Sequence, residues 1–156
     1  MVLPARKHPR LKNYDYRQNG CYHLTICVKD RQPILSRVIP ADNPALRPQI
    51  EYSNTGKIVD QYIQNIPMVY PGVSLDHYVI MPNHVHLLLT LPVQNVTPVS
   101  TIIRSLKRMV NKALGQSIWQ DSFFDVVIRS NSMYQCEWAY IDNNPDKWSE
   151  DELYIP

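Results

Sequence analysis

The sequence predicts an α+β fold in which helices cover a single antiparallel sheet of four strands. Short runs rich in β-branched and aromatic residues, typical of strands, alternate along the chain with segments whose apolar residues recur every three or four positions, typical of helices. The chain has 156 residues and a hydrophobic content of 44%, which suffices for one domain with a real core. We therefore expect a single domain over residues 1–156.

The chain opens with an irregular basic arm, which a strand follows. Prolines, asparagines and a glycine interrupt residues 1–20, so we expect no regular element there. A strand is predicted over 21–29, where every second residue is apolar or aromatic. One of its faces carries Tyr22, Leu24, Ile26 and Val28, and the other carries Cys21, His23, Thr25 and Cys27.

Residues 33–53 hold short β-prone pieces separated by prolines, which indicates a hairpin or an irregular excursion. Helical spacing of apolar residues then predicts a helix over 57–66. Asn54 or Thr55 is expected to be its N-cap, and Pro67 is expected to end it.

Two strands and a helix are predicted in the middle of the chain. The strands cover 73–81 and 84–91, and the tight connection Pro82-Asn83 between them indicates antiparallel pairing. An amphipathic helix follows over 99–114, and Gly115 is its expected C-terminal stop.

The last elements are a strand over 123–129 and a helix over about 133–143, which Asn131 or Ser132 would cap and Asn144-Pro145 would end. The order is βαββαβ with an extra C-terminal helix, which is the order of a ferredoxin-like or RRM-like antiparallel sheet. In that topology the first and third strands are central.

The third of these strands carries two histidines in an apolar run. Residues i and i+2 of a strand share a face, so His84 and His86 should stand side by side while Val85 and Leu87 point into the core. Two buried imidazoles need partners, and a divalent metal ion is one such partner. The alternative, two packed histidines with ordinary hydrogen bonds, stays open on this pair alone.

The C-terminal helix offers two further polar side chains. Tyr140 and Asn144 are four residues apart and therefore neighbours on one helix face. A tyrosine hydroxyl can act as a covalent nucleophile, and an amide oxygen can complete a metal site. Taken singly, each residue is better explained by structure alone, Tyr140 as an amphipathic helix residue and Asn144 as a helix C-cap. Together with the histidine pair they favour a functional site.

Positive charge is clustered although the formal net charge is only +2. No acidic residue lies between Asp76 and Asp121, and the helix over 99–114 collects cations along one edge. Such local patches suit a polyanion, and solvated surface charge is the alternative. The candidate DNA-binding residues are Arg6, Arg10 and Lys12 in the arm and Arg104, Lys107, Arg108 and Lys112 in the helix.

Composition argues against several other classes of protein. Three scattered cysteines form no disulfide framework and fit a reducing compartment. No run approaches the roughly 20 apolar residues of a membrane span, and the N-terminus lacks the apolar core of a signal peptide. We expect a cytoplasmic protein that reaches the nucleoid through DNA, with no membrane partner.

The motifs Met-Pro-Asn-His-Val-His-Leu-Leu at 81–88 and Trp-x-Tyr-Ile-x-x-Asn-Pro-x-Lys-Trp at 138–148 resemble those of the HUH-class single-tyrosine transposases of bacterial insertion sequences. The REP-associated tyrosine transposases are the branch of closest resemblance. Weaker matches occur at 10–16, 25–27 and 119–125, so the resemblance covers nearly the whole chain.

The resemblance implies an enzyme that nicks and rejoins single-stranded DNA near hairpins through a 5′-phosphotyrosine. It makes Tyr140 the nucleophile within a catalytic helix over 130–145, followed by an acidic tail over 146–156. It makes His84, His86 and Asn144 ligands of Mg²⁺ or Mn²⁺, with no small-molecule cofactor. A homodimer that exchanges the helix and a monomer are both open.

Three alternatives stay open at the level of sequence. A domesticated nuclease that processes REP sequences without mobility would have the same residues. A non-catalytic RRM-like module for single-stranded nucleic acid would share the sheet but should show stacking aromatics on the central strands. Tyr134 is a rival nucleophile, although Trp138 and not an amide lies four residues after it.

Overall fold

The structure, a computed structural model, describes residues 20–95 and 97–156. Arg6, Arg10 and Lys12 therefore lie outside the described residues. The strands run β1 (Gly20–Cys27), β2 (Ser36–Ile39), β3 (Gln49–Tyr52), β4 (Ser74–Ile80), β5 (His84–Leu91) and β6 (Phe124–Ile128). The helices run α1 (Asn54–Gln64), α2 (Ile66–Val69), α3 (Val99–Leu114) and α4 (Asn131–Asn143), with 3₁₀ turns at Lys29–Arg31 and Pro145–Glu150.

Four strands form the main sheet in the order β4-β5-β1-β6, with every neighbouring pair antiparallel. The predicted α+β class is confirmed, and β1 and β5 are the two central strands, as the βαββαβ order requires. Their register places Cys27 opposite His84 and Thr25 opposite His86. The predicted hairpin is also present, since β2 and β3 pair as a separate two-stranded sheet.

One face of the main sheet is the apolar core. The alternation of β1 and β5 sends one set of side chains to this face, where α1 and α3 cover them. At roughly 25 cal/mol per Å² of buried apolar surface, such a core is the main term that stabilises the fold. Its strand residues include Tyr22, Leu24, Ile26, Val85, Leu87 and Leu89, and its helix residues include Val59, Ile63, Ile102, Ile103 and Val110.

The other face is covered by α4, which docks mainly through polar contacts. Ile141 is the buried residue of this helix and joins a small cluster with Val79, Met81 and Leu88. Around that cluster, Tyr134 Oη donates to Asp76 Oδ2 at 2.9 Å. His77 stacks on Trp138 with ring centroids 4.4 Å apart, and Arg47 binds Asp142 and Asp146. The orientation of α4 therefore depends on directional contacts more than on apolar area.

Both predicted N-caps were wrong by one or more residues. The cap of α1 is Ser53, not Asn54 or Thr55, and that of α4 is Ser130, not Asn131 or Ser132. In each helix the serine hydroxyl accepts the backbone N–H three residues later. Each serine has an extended backbone conformation, which lets its side chain accept this N–H, and it therefore lies just before the first helical residue.

Pro67 does not end α1 either, because the helix stops at Gln64 with Asn65 as its C-cap. The proline instead lies in the first turn of the short α2, where a missing N–H costs no hydrogen bond. Gly115 is the C-cap of α3 as predicted, with a left-handed φ of 72°.

Among the described residues, no helix is both long enough and apolar enough to cross a membrane.

Gly56 tests the packing of α1 against the β1–β2 connection. A Cβ at this position would lie 1.9 Å from the carbonyl oxygen of Leu35. Gly56→Ala should therefore lower the free energy of unfolding by about 3 kcal/mol, at the upper end of overpacking costs. Urea unfolding checks this, with exposed Lys57→Ala as the control that should change stability little. Equal stability of the two variants would contradict the packing described.

Candidate active site

His84 and His86 lie side by side on the sheet face beneath α4. Their ring centroids are 4.8 Å apart and the ring planes are nearly perpendicular, at 82°. Both side chains are almost fully buried, with 0% and 1% of their surface exposed. Val85 and Leu87 point into the opposite core, so the predicted alternation is confirmed.

The tautomer of His84 follows from its neighbour Asn83. The Asn83 amide nitrogen donates to the carbonyl oxygens of Arg31 at 3.2 Å and Leu153 at 2.6 Å. Its Oδ1 therefore faces His84 Nδ1, 2.8 Å away, and must accept a proton from it. His84 consequently carries its proton on Nδ1 and has a bare lone pair on Nε2.

The Nδ1 atom of His86 is also engaged. Thr25 Oγ1 and His23 Nε2 each lie 3.0 Å from it. Thr25 and His23 share the β1 face that looks toward α4, as the register with β5 dictates. The Nε2 atom of His86, like that of His84, is buried beneath the helix and makes no hydrogen bond of standard geometry.

Asn144 brings a third polar atom to this space from the end of α4. Its side chain is 4% exposed and lies near enough to His84 and Tyr140 to influence the pKa of each. Among the described residues, His84 Nε2, His86 Nε2 and Asn144 Oδ1 are buried and make no hydrogen bond of standard geometry. Three orphaned lone pairs in one buried place are costly unless something binds them.

This donor set fits a divalent cation. Two neutral imidazoles and an amide oxygen form a mixed nitrogen and oxygen set that Mn²⁺ accepts, whereas Mg²⁺ prefers oxygen alone. Asp151 Oδ2 lies 3.7 Å from His84 Nε2 and supplies a nearby negative charge. The described residues contain no cluster of three His, Cys, Asp or Glu side chains arranged for a metal, so the candidate site depends on the amide.

Burial keeps both histidines neutral. Desolvation lowers the pKa of His84 to about 4, although the charge of Asp151 opposes the shift. The pKa of His86 is held well below 6.5 by the same desolvation and by the neighbouring imidazoles. Neutral imidazole is the form that binds metal ions, so the site does not need to release a proton first.

Tyr140 lies against this pair of histidines. Its ring centroid is 5.3 Å from that of His86 and 5.8 Å from that of His23. It also lines a cleft of about 380 Å³ between α4 and the C-terminal segment, together with Asn144, Lys147 and Asp151. Burial, followed by the charge of Asp151, raises the pKa of Tyr140 to about 12. The phenol is therefore protonated at neutral pH in this arrangement.

Tyr134 is engaged elsewhere. Its hydroxyl donates to Asp76 Oδ2, which also accepts from Thr90 at 2.6 Å. Burial and this hydrogen bond raise its pKa to about 12. Of the two tyrosines on α4, Tyr140 is the one in ring contact with the histidine pair.

The predicted cations of α3 lie on the opposite side of the sheet from Tyr140. Arg104, Arg108 and Lys112 are exposed, and Lys107 Nζ donates to the backbone carbonyls of Gln120 and Ser122. A cleft of about 440 Å³ separates α3 from the loop over 117–123, and Arg104 and Lys107 line it. A second cleft of about 200 Å³ shares that loop and reaches Thr25 and Cys27, beside the histidines.

Sequence reasoning missed four polar residues of the site. His23 stood on the predicted polar face of β1, so its alternation was the available signal. Glu137 lies three residues before Tyr140, at helical spacing. Asn83 and Asp151 gave no such signal, since a turn and a C-terminal segment bring them in.

Comparison with known structures identifies proteins that share this fold. A REP-associated tyrosine transposase bound to a REP hairpin superposes with a TM-score of 0.67 and 22% identity, over 88% of this chain and 73% of that one. A candidate transposase of Deinococcus radiodurans gives a TM-score of 0.52 and 20% identity, over 86% and 95%. The chain thus has the fold of the tyrosine transposases, and the predicted resemblance is confirmed at that level.

The sequence relationship is more specific. An uncharacterized protein of Haemophilus influenzae is 30% identical across 96% of this chain and 93% of its own length. The chain therefore belongs to the same family as this Haemophilus influenzae protein. No family model matches the sequence.

The lowered pKa of His84 predicts a pH dependence of stability in metal-free buffer. Unfolded histidine takes up a proton near pH 6.5, whereas folded His84 does so only near pH 4. Stability should be full above pH 6.5 and should fall as the pH drops toward 4, by roughly 3 kcal/mol for this group. Urea unfolding at a series of pH values measures it. His84→Gln should flatten this slope, and parallel curves for the two proteins would contradict the burial described.

Proposed function

We propose that this protein is a metal-dependent tyrosine transposase that nicks single-stranded DNA and rejoins it. The observation that carries the proposal is the meeting of Tyr140 with three buried, unpartnered metal-ligand atoms beneath one helix. A phenol beside atoms that can bind a metal ion is suited to covalent attack on a phosphodiester. The contacts join Tyr140 and His86 of the same chain, which supports a reaction carried out within one copy.

In this proposal His84, His86 and Asn144 hold the cation, and Asp151 supplies a negative charge nearby. When bound, Mg²⁺ or Mn²⁺ would polarise the scissile phosphate as a Lewis acid. The donor set favours Mn²⁺ over Mg²⁺.

In the proposed covalent step, Tyr140 is the nucleophile. The Oη atom of Tyr140 forms a bond to phosphorus, and the bond from phosphorus to the 3′ oxygen breaks. The DNA is then joined to Tyr140 through its 5′ phosphate, and the tyrosine proton leaves with the 3′ hydroxyl. Because a phosphoester is retained, a 3′ hydroxyl can reverse the step without ATP.

We further propose that hairpin or single-stranded DNA is the partner. The REP-associated relative is bound to a REP hairpin, and its fold matches most of this chain. Two clefts share the 117–123 loop. One is lined by Arg104 and Lys107 of α3, and the other reaches Thr25 and Cys27 on β1, the strand beside the two histidines. A strand held along them would gain phosphate contacts at one end and meet the site at the other.

The alternative of a non-catalytic RRM-like module is disfavoured by what covers the central strands. Such a module exposes aromatic side chains there for stacking on bases. Here β1 and β5 present buried histidines, and α4 lies over them. A domesticated nuclease without mobility has the same active site, and the gene's flanking DNA distinguishes it.

Tyr140→Phe should abolish the covalent adduct between this protein and DNA. The test incubates labelled hairpin oligonucleotides from the flanks of the gene with protein and Mn²⁺, and detects adducts on a denaturing gel. Wild type should give an adduct that chelator prevents, because the reaction needs both the phenol and the metal ion.

Tyr134→Phe is the matched control, since it removes the same hydroxyl from the same helix. We expect it to retain the adduct at a reduced yield, because it loses the hydrogen bond to Asp76 that helps to hold α4. An adduct that survives in Tyr140→Phe, or that disappears only in Tyr134→Phe, would overturn the assignment of the nucleophile.

Replacing Arg104 and Arg108 by alanine should weaken DNA binding at every sequence and lower its dependence on salt. Each lost phosphate contact reduces the slope of log K against log salt by about 0.7 for single strands. Fluorescence anisotropy over a range of salt measures it, with exposed Lys57→Ala on α1 as the control for loss of a positive charge elsewhere on the surface. An unchanged slope in the double variant would remove the α3 edge from the proposed path.

A further inference from the structure

His23 is a buried histidine that the proposed reaction leaves unused. It lies on β1 and is 2% exposed. Its Nδ1 bonds the carboxylate of Glu137 on α4, and its Nε2 is 3.0 Å from His86 Nδ1. The three side chains form a continuous path, the Glu137–His23–His86 relay, from the helix to a candidate metal ligand.

The relay has a direction because one of its ends can only accept. An ionised carboxylate has no proton to donate, so His23 must donate from Nδ1 to Glu137. The Nε2 atom of a neutral His23 is then a bare acceptor. Next to a neutral His23, His86 must in turn donate from Nδ1, and this leaves the Nε2 atom of His86 free of a proton.

Thr25 does not supply this direction. Its hydroxyl also lies 3.0 Å from His86 Nδ1, but a hydroxyl donates as readily as it accepts. With Thr25 alone, both tautomers of His86 would find a partner. Within the described network, Glu137 is the group that excludes the tautomer with a proton on Nε2.

Glu137 is also placed to link this selection to the nucleophile. It lies three residues before Tyr140, on the same side of α4. The contact that docks this turn of the helix on β1 is therefore the contact that orients His86. An undocked α4 would remove the fixed acceptor from His23.

We propose that His23 and Glu137 are positioning residues that hold His86 in the Nδ1–H tautomer while α4 is docked, so that its Nε2 is ready to bind the metal ion. The metal part rests on the proposed function, whereas the tautomer part does not. Hydrogen-bonded partners of this kind typically change metal affinity by about 10- to 100-fold when they are removed.

The first experiment measures the tautomers in the metal-free protein by long-range ¹H–¹⁵N NMR of the imidazole rings. Wild type should show His86 protonated on Nδ1. Glu137→Gln can donate through its amide nitrogen, so it permits the reversed network and should give a substantial population of the Nε2–H form. Glu150→Gln is the control, because it removes an exposed charge from the cleft that Tyr140 lines without changing a partner of His23. Its His86 tautomer should resemble that of wild type.

The second experiment titrates Mn²⁺ into the same proteins, with thermal unfolding as the check that each is folded. Glu137→Gln should bind Mn²⁺ about 10- to 100-fold more weakly than Glu150→Gln does. A wild type with His86 protonated on Nε2 overturns the proposal, whatever the variants do. The proposal is also overturned if Glu137→Gln has the same His86 tautomer and the same Mn²⁺ affinity as wild type. If wild type shows the expected tautomer but binds no Mn²⁺, the proposed function fails and the positioning role remains.

Discussion

Burial of two imidazoles in the middle of the sheet is the constraint on which the rest of the structure depends. His84 and His86 have almost no exposed surface, so each of their nitrogens must find a partner or be left at a cost of about 1 to 3 kcal/mol. The protein satisfies both Nδ1 atoms with a turn amide, a threonine and a third histidine. It leaves both Nε2 atoms buried and without a hydrogen bond of standard geometry. A cation bound by both Nε2 atoms would remove this cost, and its removal would contribute to the binding free energy of the cation.

The second half of the site rests on a helix that is held by directional contacts. Ile141 supplies the buried apolar surface of α4, while Asp76, His77 and Arg47 hold its outer side by hydrogen bonds, stacking and charge. Such contacts fix orientation but stabilise modestly in partly exposed places. A nucleophile carried on this helix is therefore placed accurately only when the polar contacts form together. In the proposed relay, docking of α4 also sets the tautomer of His86 on β5, because Glu137 of α4 binds His23.

The sequence predicted the local features of this structure and missed those that depend on long-range contacts. Strand alternation fixed which faces His84 and Val85 occupy, and helical spacing put Tyr140 and Asn144 together, because both patterns are short-range. The N-caps of α1 and α4 were misplaced, since several neighbouring residues have equal capping chemistry. Asp151 could not be found in this way, because a turn after α4 carries it back to His84. The cations of α3 were correctly placed on one edge, but their separation from Tyr140 by the sheet follows only from the topology.

The proposed metal site joins His84 and His86 of β5 with the side-chain amide of Asn144 beside Tyr140. Pulsed electron paramagnetic resonance of protein with one equivalent of Mn²⁺ is the decisive measurement, because the method detects nitrogen nuclei bound to the ion. We expect coupling to two imidazole nitrogens in wild type, to one in His84→Gln and to one in His86→Gln. Bound Mn²⁺ without imidazole coupling, or with coupling that neither substitution changes, would contradict it.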